Sequence, residues 1–306
     1  VSEPDLRVRV GPLTLKNPVG TASGTYGKGL EFRPFYDVSR LGFVVVKTIT
    51  SKARAGNPPP RLVETPGGML NSIGLPNPGI EAYIETYLPQ LRTLGVPLVI
   101  NIAGHDAPDF ASLAARLDRE EGIDALELNM SCPNVAGGLD FSTSPGAAYD
   151  VVTRAKDRTR LPLIAKLSPN VTDIRPIAEA AARAGAAAIS AVNTYVGMAV
   201  DWRARRLVLG RGTGGLSGPC IKPLALKAVW DVARTVDVPV MAIGGIETAE
   251  DAMEFLVAGA TAVQVGTANY YRPRAAVDIV EGLPACLKEL GASSVAEVIG
   301  TLKPPA

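Results

Sequence analysis

Short, nearly unbroken apolar runs recur along the chain at 19–22, 43–47, 98–102, 125–129, 163–167, 187–192, 240–243 and 262–265. Runs of this length, rich in β-branched residues, predict parallel strands buried on both faces. Between them the period changes. Apolar residues recur every three or four positions at 109–120, 174–184, 223–236 and 249–257, which predicts amphipathic helices. Gly95, Gly122, Gly185 and Gly259 each fall where a helix gives way to a strand, the position of a glycine helix stop. Eight strands alternating with helices predict an α/β fold of the (β/α)8 barrel type. An open doubly wound sheet would carry G-x-G-x-x-G after its first strand, and Gly20-Thr21-Ala22-Ser23-Gly24 lacks that spacing. Residues 6–15 alternate apolar and polar around Gly11-Pro12, which predicts a β-hairpin, placed as a lid under the barrel bottom. Without a linker or low-complexity stretch, residues 1–306 read as one domain.

A barrel gathers its chemistry at the carboxyl ends of its strands. Here those ends carry Ser23, Lys47-Thr48, Asn101, Glu127 with Asn129, Lys166 with Ser168, Asn193-Thr194, Gly244-Gly245 and Gly266-Thr267. One such residue would be explained as a cap or a strand-end hydrogen bond; eight positions in one ring predict a shared site. Amides offer both donor and acceptor, which suits a flat heterocycle rich in C=O and N–H groups. Few carboxylates join them, which argues against a divalent metal centre. Gly244-Gly245 and Gly266-Thr267, after the last two strands, fit a phosphate-bearing ligand such as FMN, because barrels often hold phosphate on those loops.

Composition narrows the field. The chain has 306 residues, 47% apolar and 20% charged, which excludes disorder, collagen and coiled coil. Lys and Arg number 31 against 30 Asp and Glu, so no net field draws nucleic acid or an anionic membrane. Aromatics make up 5%, too few for stacking along single strands. The three cysteines, Cys132, Cys220 and Cys286, form no C-x-x-C pair, so the chain lacks the spacing for its own zinc or iron–sulfur site. Free thiols, no basic-then-apolar leader at the N-terminus and no apolar run long enough to span a bilayer lead to the expectation of a cytoplasmic protein.

The sharpest motif is Asn129-Met130-Ser131-Cys132-Pro133-Asn134-Val135. Pro133 keeps Cys132 out of helical backbone angles, and Ser131, Asn134 and Gly137-Gly138 make a poor core, so the thiol reads as functional. Cys220 and Cys286 read as ordinary buried, inert cysteines. His105, the only histidine, reads as a surface loop residue. Asn71-Ser72-Ile73-Gly74-Leu75-Pro76-Asn77 lies in a long loop after the second strand, and so long a barrel loop is expected to cover a ligand.

At these residues the chain resembles the dihydroorotate dehydrogenases, flavin enzymes of pyrimidine synthesis. The matching stretches are Lys47-Thr48-Ile49-Thr50, residues 64–75, residues 129–135, Ala165-Lys166-Leu167-Ser168-Pro169-Asn170, Ala191-Val192-Asn193-Thr194, residues 213–219, Gly244-Gly245-Ile246 and Gly266-Thr267. They run in order over nearly the whole chain. The cysteine at 132 resembles class 1; the membrane-associated class 2 has a serine base and an N-terminal extension. Asn193-Thr194 with residues 197–201, then residues 214–219 and Ile221-Lys222-Pro223, are most similar to the class 1B catalytic subunit.

The resemblance implies that Cys132 is the general base that takes the C5 proton of dihydroorotate. It implies that Asn71, Asn129, Asn134, Asn193 and Thr194 hold the pyrimidine and its carboxylate, helped by Ser72, Ile73, Gly74 and Leu75. Lys47 would face both substrate and FMN, and Lys166 the flavin's pyrimidine edge. Ser23, Thr48, Asn101, Asn129, Val192 and Gly218 would line one FMN per chain, and Gly244, Gly245, Gly266 and Thr267 would hold its phosphate. A class 1B chain implies a barrel homodimer at the core of a heterotetramer, with a separate subunit that carries FAD and [2Fe–2S] and reduces NAD. The alternatives are a class 1A-like homodimer reoxidised by fumarate, a lyase barrel with Lys166 as Schiff-base amine, and a non-catalytic scaffold.

Overall fold

All five residues of Leu98–Ile102 and all five of Ala125–Asn129 are buried, and this two-sided burial is what their unbroken apolar pattern encodes. The computed structural model describes residues 3–27, 29–131 and 141–303. Two strands come first, β1 (Val8–Val10) and β2 (Leu13–Leu15). The barrel strands are β3 (Val19–Thr21), β4 (Val44–Val45), β7 (Leu98–Ile102), β8 (Ala125–Asn129), β9 (Leu163–Lys166), β10 (Ala188–Ala191), β15 (Val240–Ile243) and β16 (Ala262–Val265). They form one parallel sheet in the order β3-β16-β15-β10-β9-β8-β7-β4. A parallel bridge between Gly20 and Phe43 brings the two outer strands together and closes the ring, so the expected (β/α)8 barrel is the fold.

Helices α1 (Ile80–Thr86), α2 (Leu88–Leu91), α3 (Ala107–Leu117), α4 (Pro145–Lys156), α5 (Arg175–Arg183), α6 (Lys222–Ala233), α7 (Ala249–Ala258), α8 (Ala268–Tyr271) and α9 (Ala275–Glu289) accompany the strands. In α3 the buried residues Phe110, Leu113, Ala114 and Leu117 fall at helical spacing. The Asp106 carboxylate starts that helix by accepting from the Asp109 N–H. Thr248 and Asp251 start α7 with a reciprocal capping box. Gly95, Gly122, Gly185 and Gly259 all have positive φ, as helix stops require.

Strands β1 and β2 pair antiparallel, with Val8 opposite Leu15, as the alternation of residues 6–15 predicts. Their turn places Gly11 against the backbone of Ala187, at the amino end of β10, so the hairpin covers the barrel bottom.

The opposite rim departs from the sequence reading. Where a long loop was expected, β5 (Leu62–Thr65) and β6 (Gly68–Asn71) form a hairpin. With β11 (Tyr195–Met198) and β14 (Thr213–Ser217) they build a second, antiparallel sheet in the order β11-β14-β6-β5. A shorter pair, β12 (Val200–Asp201) and β13 (Arg206–Leu207), extends the same excursion. This sheet roofs the carboxyl ends of the barrel strands, and Met69, Asn71, Thr213 and Ser217 face the space between.

Candidate active site

Under that roof lies a cavity of about 310 Å3, the size of a small-molecule pocket. Ser23, Lys47 and Thr48 enter it from the ends of β3 and β4, Asn129 from β8, Lys166 from β9, and Val192, Asn193 and Thr194 from beyond β10. Gly244 and Gly245 follow β15, and Gly266 and Thr267 follow β16. Asn71, Ile73, Gly74, Leu75 and Gly218 come from the roof and its flanks. Residues chosen from seven different strand ends therefore meet in one place.

Two chosen residues sit elsewhere. Ser72 is buried beside the cavity, where it accepts from Asn57 Nδ2 at 3.0 Å (Oγ) and 3.2 Å (O), so it props the roof and does not line the space. Asn101 is fully buried below the floor and donates to Glu127 Oε1 at 2.6 Å. Cys132 and Asn134 lie outside the described residues, as does the rest of 132–140. Ser131, next to Cys132 in the chain, lines the cavity.

The amides are held by one another. Asn193 Nδ2 donates to Ser131 Oγ at 2.6 Å and to Asn129 Oδ1 at 3.2 Å, while its Oδ1 accepts from the Thr194 N–H at 2.8 Å. Asn71 Nδ2 donates to Gly215 O at 3.3 Å across the β6–β14 pair. These bonds fix the carboxamides before any ligand arrives, which preorganises the site.

Charge in the cavity is mostly positive. Among the described residues, Lys47, Lys166 and Arg211 line it against the single carboxylate of Glu247. Burial pushes the Lys47 ammonium below its ordinary range, and among the described residues no acid pairs with it. Burial, then repulsion from Asp251, raises the carboxyl of Glu247. Beneath the floor Glu127, with no solvent exposure, lies 3.5 Å from Lys166 Nζ.

Sequence reasoning missed Arg211, Asn170, Ser217 and Tyr270 in the lining, and Ser190 and Gln264 beneath it. Gln264 carried a signal: it is the one polar residue in the apolar strand β16. Cys220 is exposed, unlike the inert buried cysteine expected, because it lies in the middle of the short turn Pro219–Ile221 that follows Gly218. Cys286 is partly buried in α9, and His105 is an exposed loop residue as expected.

The donor set suits a flavin nucleotide. Asn71 lines the cavity and among the described residues commits only its Nδ2, to Gly215 O, so its Oδ1 is an acceptor left for a ligand N–H. The backbone N–H groups of Gly244, Gly245, Gly266 and Thr267 donate to no acceptor among those residues. A Cβ on Gly266 would meet only Ala22 Cβ, at 3.5 Å, and would otherwise occupy the cavity. Amide acceptors, free backbone donors and two lysines in one cleft fit such a cofactor.

Comparison with known proteins agrees with this geometry. The family model described as dihydroorotate dehydrogenase matches residues 5–287. A protein of Geotalea uraniireducens named dihydroorotate dehydrogenase B (NAD(+)), catalytic subunit, is 52% identical over 303 residues, 99% of each chain. Proteins of the same name from Desulforudis audaxviator and Geobacter sulfurreducens are 53% and 50% identical, covering 96% and 99% of this chain and 96% and 100% of their own lengths. Among the described residues, no helix is long and apolar enough to cross a membrane. A match over nearly the whole chain, with the polar strand-end residues gathered in one cavity, leads to one conclusion: the chain belongs to the dihydroorotate dehydrogenase family.

Proposed function

We propose that this chain is the catalytic subunit of a class 1B dihydroorotate dehydrogenase, which oxidises dihydroorotate to orotate in pyrimidine synthesis. The observation that carries this reading is the cluster of Asn71, Asn129, Asn193 and Thr194 with Lys47 and Lys166 in a single roofed cavity. A planar pyrimidine with two carbonyls, two N–H groups and a carboxylate needs this mixture of amide donors, amide acceptors and cations.

The same cavity would take one FMN, with Ser23, Thr48, Asn129, Val192 and Gly218 to hold its ring system and Gly244, Gly245, Gly266 and Thr267 its phosphate; Asn101, buried beneath the floor, would support the site from below. When bound, FMN would supply a two-electron acceptor for the hydride lost from C6. Cys132 takes the C5 proton as thiolate, and the C5–H electron pair becomes the C5=C6 double bond. Asn71, Asn129, Asn134, Asn193 and Thr194, with the 73–75 segment that Ser72 props from behind, orient the ring so that both hydrogens leave along productive directions. Lys47 holds the substrate anion, and Lys166 places positive charge at the cofactor's pyrimidine edge.

The relatives' names add NAD and the word subunit. The names support a separate partner subunit; that this chain forms a barrel homodimer in the cytoplasm, and that the partner carries FAD and [2Fe–2S], is our proposal from the class 1B resemblance. Purified protein should show a flavin spectrum that bleaches on anaerobic mixing with dihydroorotate. Colourless protein that takes up no FMN would overturn the cofactor. Rapid turnover with fumarate and no partner would replace class 1B by class 1A.

A further inference from the structure

The barrel interior below the cavity breaks the usual rule. Barrel cores are filled by branched apolar side chains. Here one carboxylate, Glu127 on β8, sits at the centre of a polar layer drawn from five strands. Its Oε1 accepts from Asn101 Nδ2 on β7 at 2.6 Å and faces Lys166 Nζ on β9 at 3.5 Å. Its Oε2 accepts from Ser190 Oγ on β10 at 2.8 Å and from Gln264 Nε2 on β16 at 2.9 Å. All of these donors are buried.

A carboxylate only accepts, so both amides must present their NH2 groups to it. Their carbonyl oxygens are thereby turned away, and Asn101 Oδ1 and Gln264 Oε1 are buried without a partner among the described residues. The Glu127 carboxylate is locked from both sides. Lys166 differs from the other partners. It stands beyond hydrogen-bond length from Glu127, makes no hydrogen bond among the described residues, and lines the cavity. Its ammonium is held in place by charge, with its N–H groups left for a ligand.

Such an arrangement is not explained by stability. A buried ion pair pays a large desolvation penalty, and an apolar replacement is often as stable. We propose that Glu127 is a positioning residue: it fixes the Lys166 ammonium at the cavity floor and through it sets how readily bound FMN is reduced. This rests on the FMN reading above.

The test is a double-mutant cycle on the midpoint potential of bound FMN. It compares wild type, Glu127→Gln, Lys166→Met and the double variant, each reconstituted with FMN. Glu127→Gln should change the two-electron reduction equilibrium about tenfold, about 30 mV, in either direction. In the Lys166→Met background the same change should shift it by less than about threefold, because the partner through which it acts is gone. An unchanged potential in Glu127→Gln, or a shift undiminished without the lysine, overturns the proposal. If Glu127→Gln does not fold, Ser190→Ala removes one donor to the same carboxylate at little change in volume, and its smaller shift should vanish in the same way. Wild-type protein that binds no FMN overturns the cofactor reading instead, and this inference with it.

Discussion

Asn193 donates its amide to Asn129 Oδ1 at 3.2 Å, tying together two strand ends that β9 and its Lys166 separate. The side chain also fixes Ser131 and the Thr194 N–H, so it sets the geometry of three other groups in the cavity. Asn193→Ala should raise the dissociation constant of orotate about tenfold or more, the effect of losing hydrogen bonds to a charged ligand. FMN should be retained. Titration of the bound flavin's absorbance with orotate measures both, and unchanged orotate affinity would remove Asn193 from substrate binding.

Cys132→Ser should keep FMN and lose rate. The base must be deprotonated to accept the C5 proton, and a serine hydroxyl holds its proton far more tightly than a thiol whose ordinary pKa is about 8.5. The loss should be greatest near neutrality and shrink as pH rises. Stopped-flow reduction by dihydroorotate across a pH series reads this directly, and a variant as fast as wild type at neutral pH contradicts the thiol's role.

The barrel was legible because its strands are buried on both faces. Their apolar runs have no competing explanation, and the ends of 98–102, 125–129, 240–243 and 262–265 coincide with observed strands. The roof was not legible. Strand β5 alternates exposed and half-buried residues over only four positions, and β14 opens with Thr213-Gly214-Gly215. What makes them strands is pairing between residues far apart, such as Asn71 with Gly215, and one sequence carries no local trace of that. The site followed the same division. Residues at strand ends were found, because barrel geometry assigns them a place in advance. Gln264 and Ser190 were missed because a single polar residue within a strand acquires meaning only when its inward face is known.

Gly266 separates ligand space from fold requirements. Its φ is not in the left-handed region, and an added Cβ would meet only Ala22 Cβ at 3.5 Å, so Gly266→Ala should fold with normal stability. The new methyl would stand in the cavity, against the proposed phosphate loop. FMN affinity should fall about tenfold or more, as for overpacking of a well-filled site. Thermal unfolding of the apo-protein and quenching of FMN fluorescence give the two halves of the prediction. Equal FMN affinity would move the phosphate to another loop.

Lys47 should make orotate binding pH-dependent. Burial lowers its pKa from the ordinary 10.5, so in the window between the lowered value and 10.5 the folded protein binds fewer protons at this site than the unfolded chain does. Stability contributed by this site therefore rises with pH through that window. Anion binding has the opposite sign, because orotate favours the ammonium form. Its affinity should fall as pH rises through the lowered pKa. In Lys47→Met the affinity should be weaker and flat over the same range. Matching pH profiles in the two proteins would show that Lys47 does not contact the anion.

Arg211 stands at the cavity edge, exposed, and pairs with no acid among the described residues. An exposed charge contributes little to static binding because water screens it. Its field still acts on an approaching anion, and that action fades within a Debye length of about 8 Å at physiological salt. Arg211→Ala should therefore raise KM for dihydroorotate about threefold at low ionic strength, an effect of steering rather than of chemistry. The kcat should stay near wild type, since no reacting atom depends on this side chain. The two proteins should converge as salt is added. A KM ratio independent of salt would instead mean that Arg211 touches the bound substrate, and a fall in kcat would place it against the reacting ring.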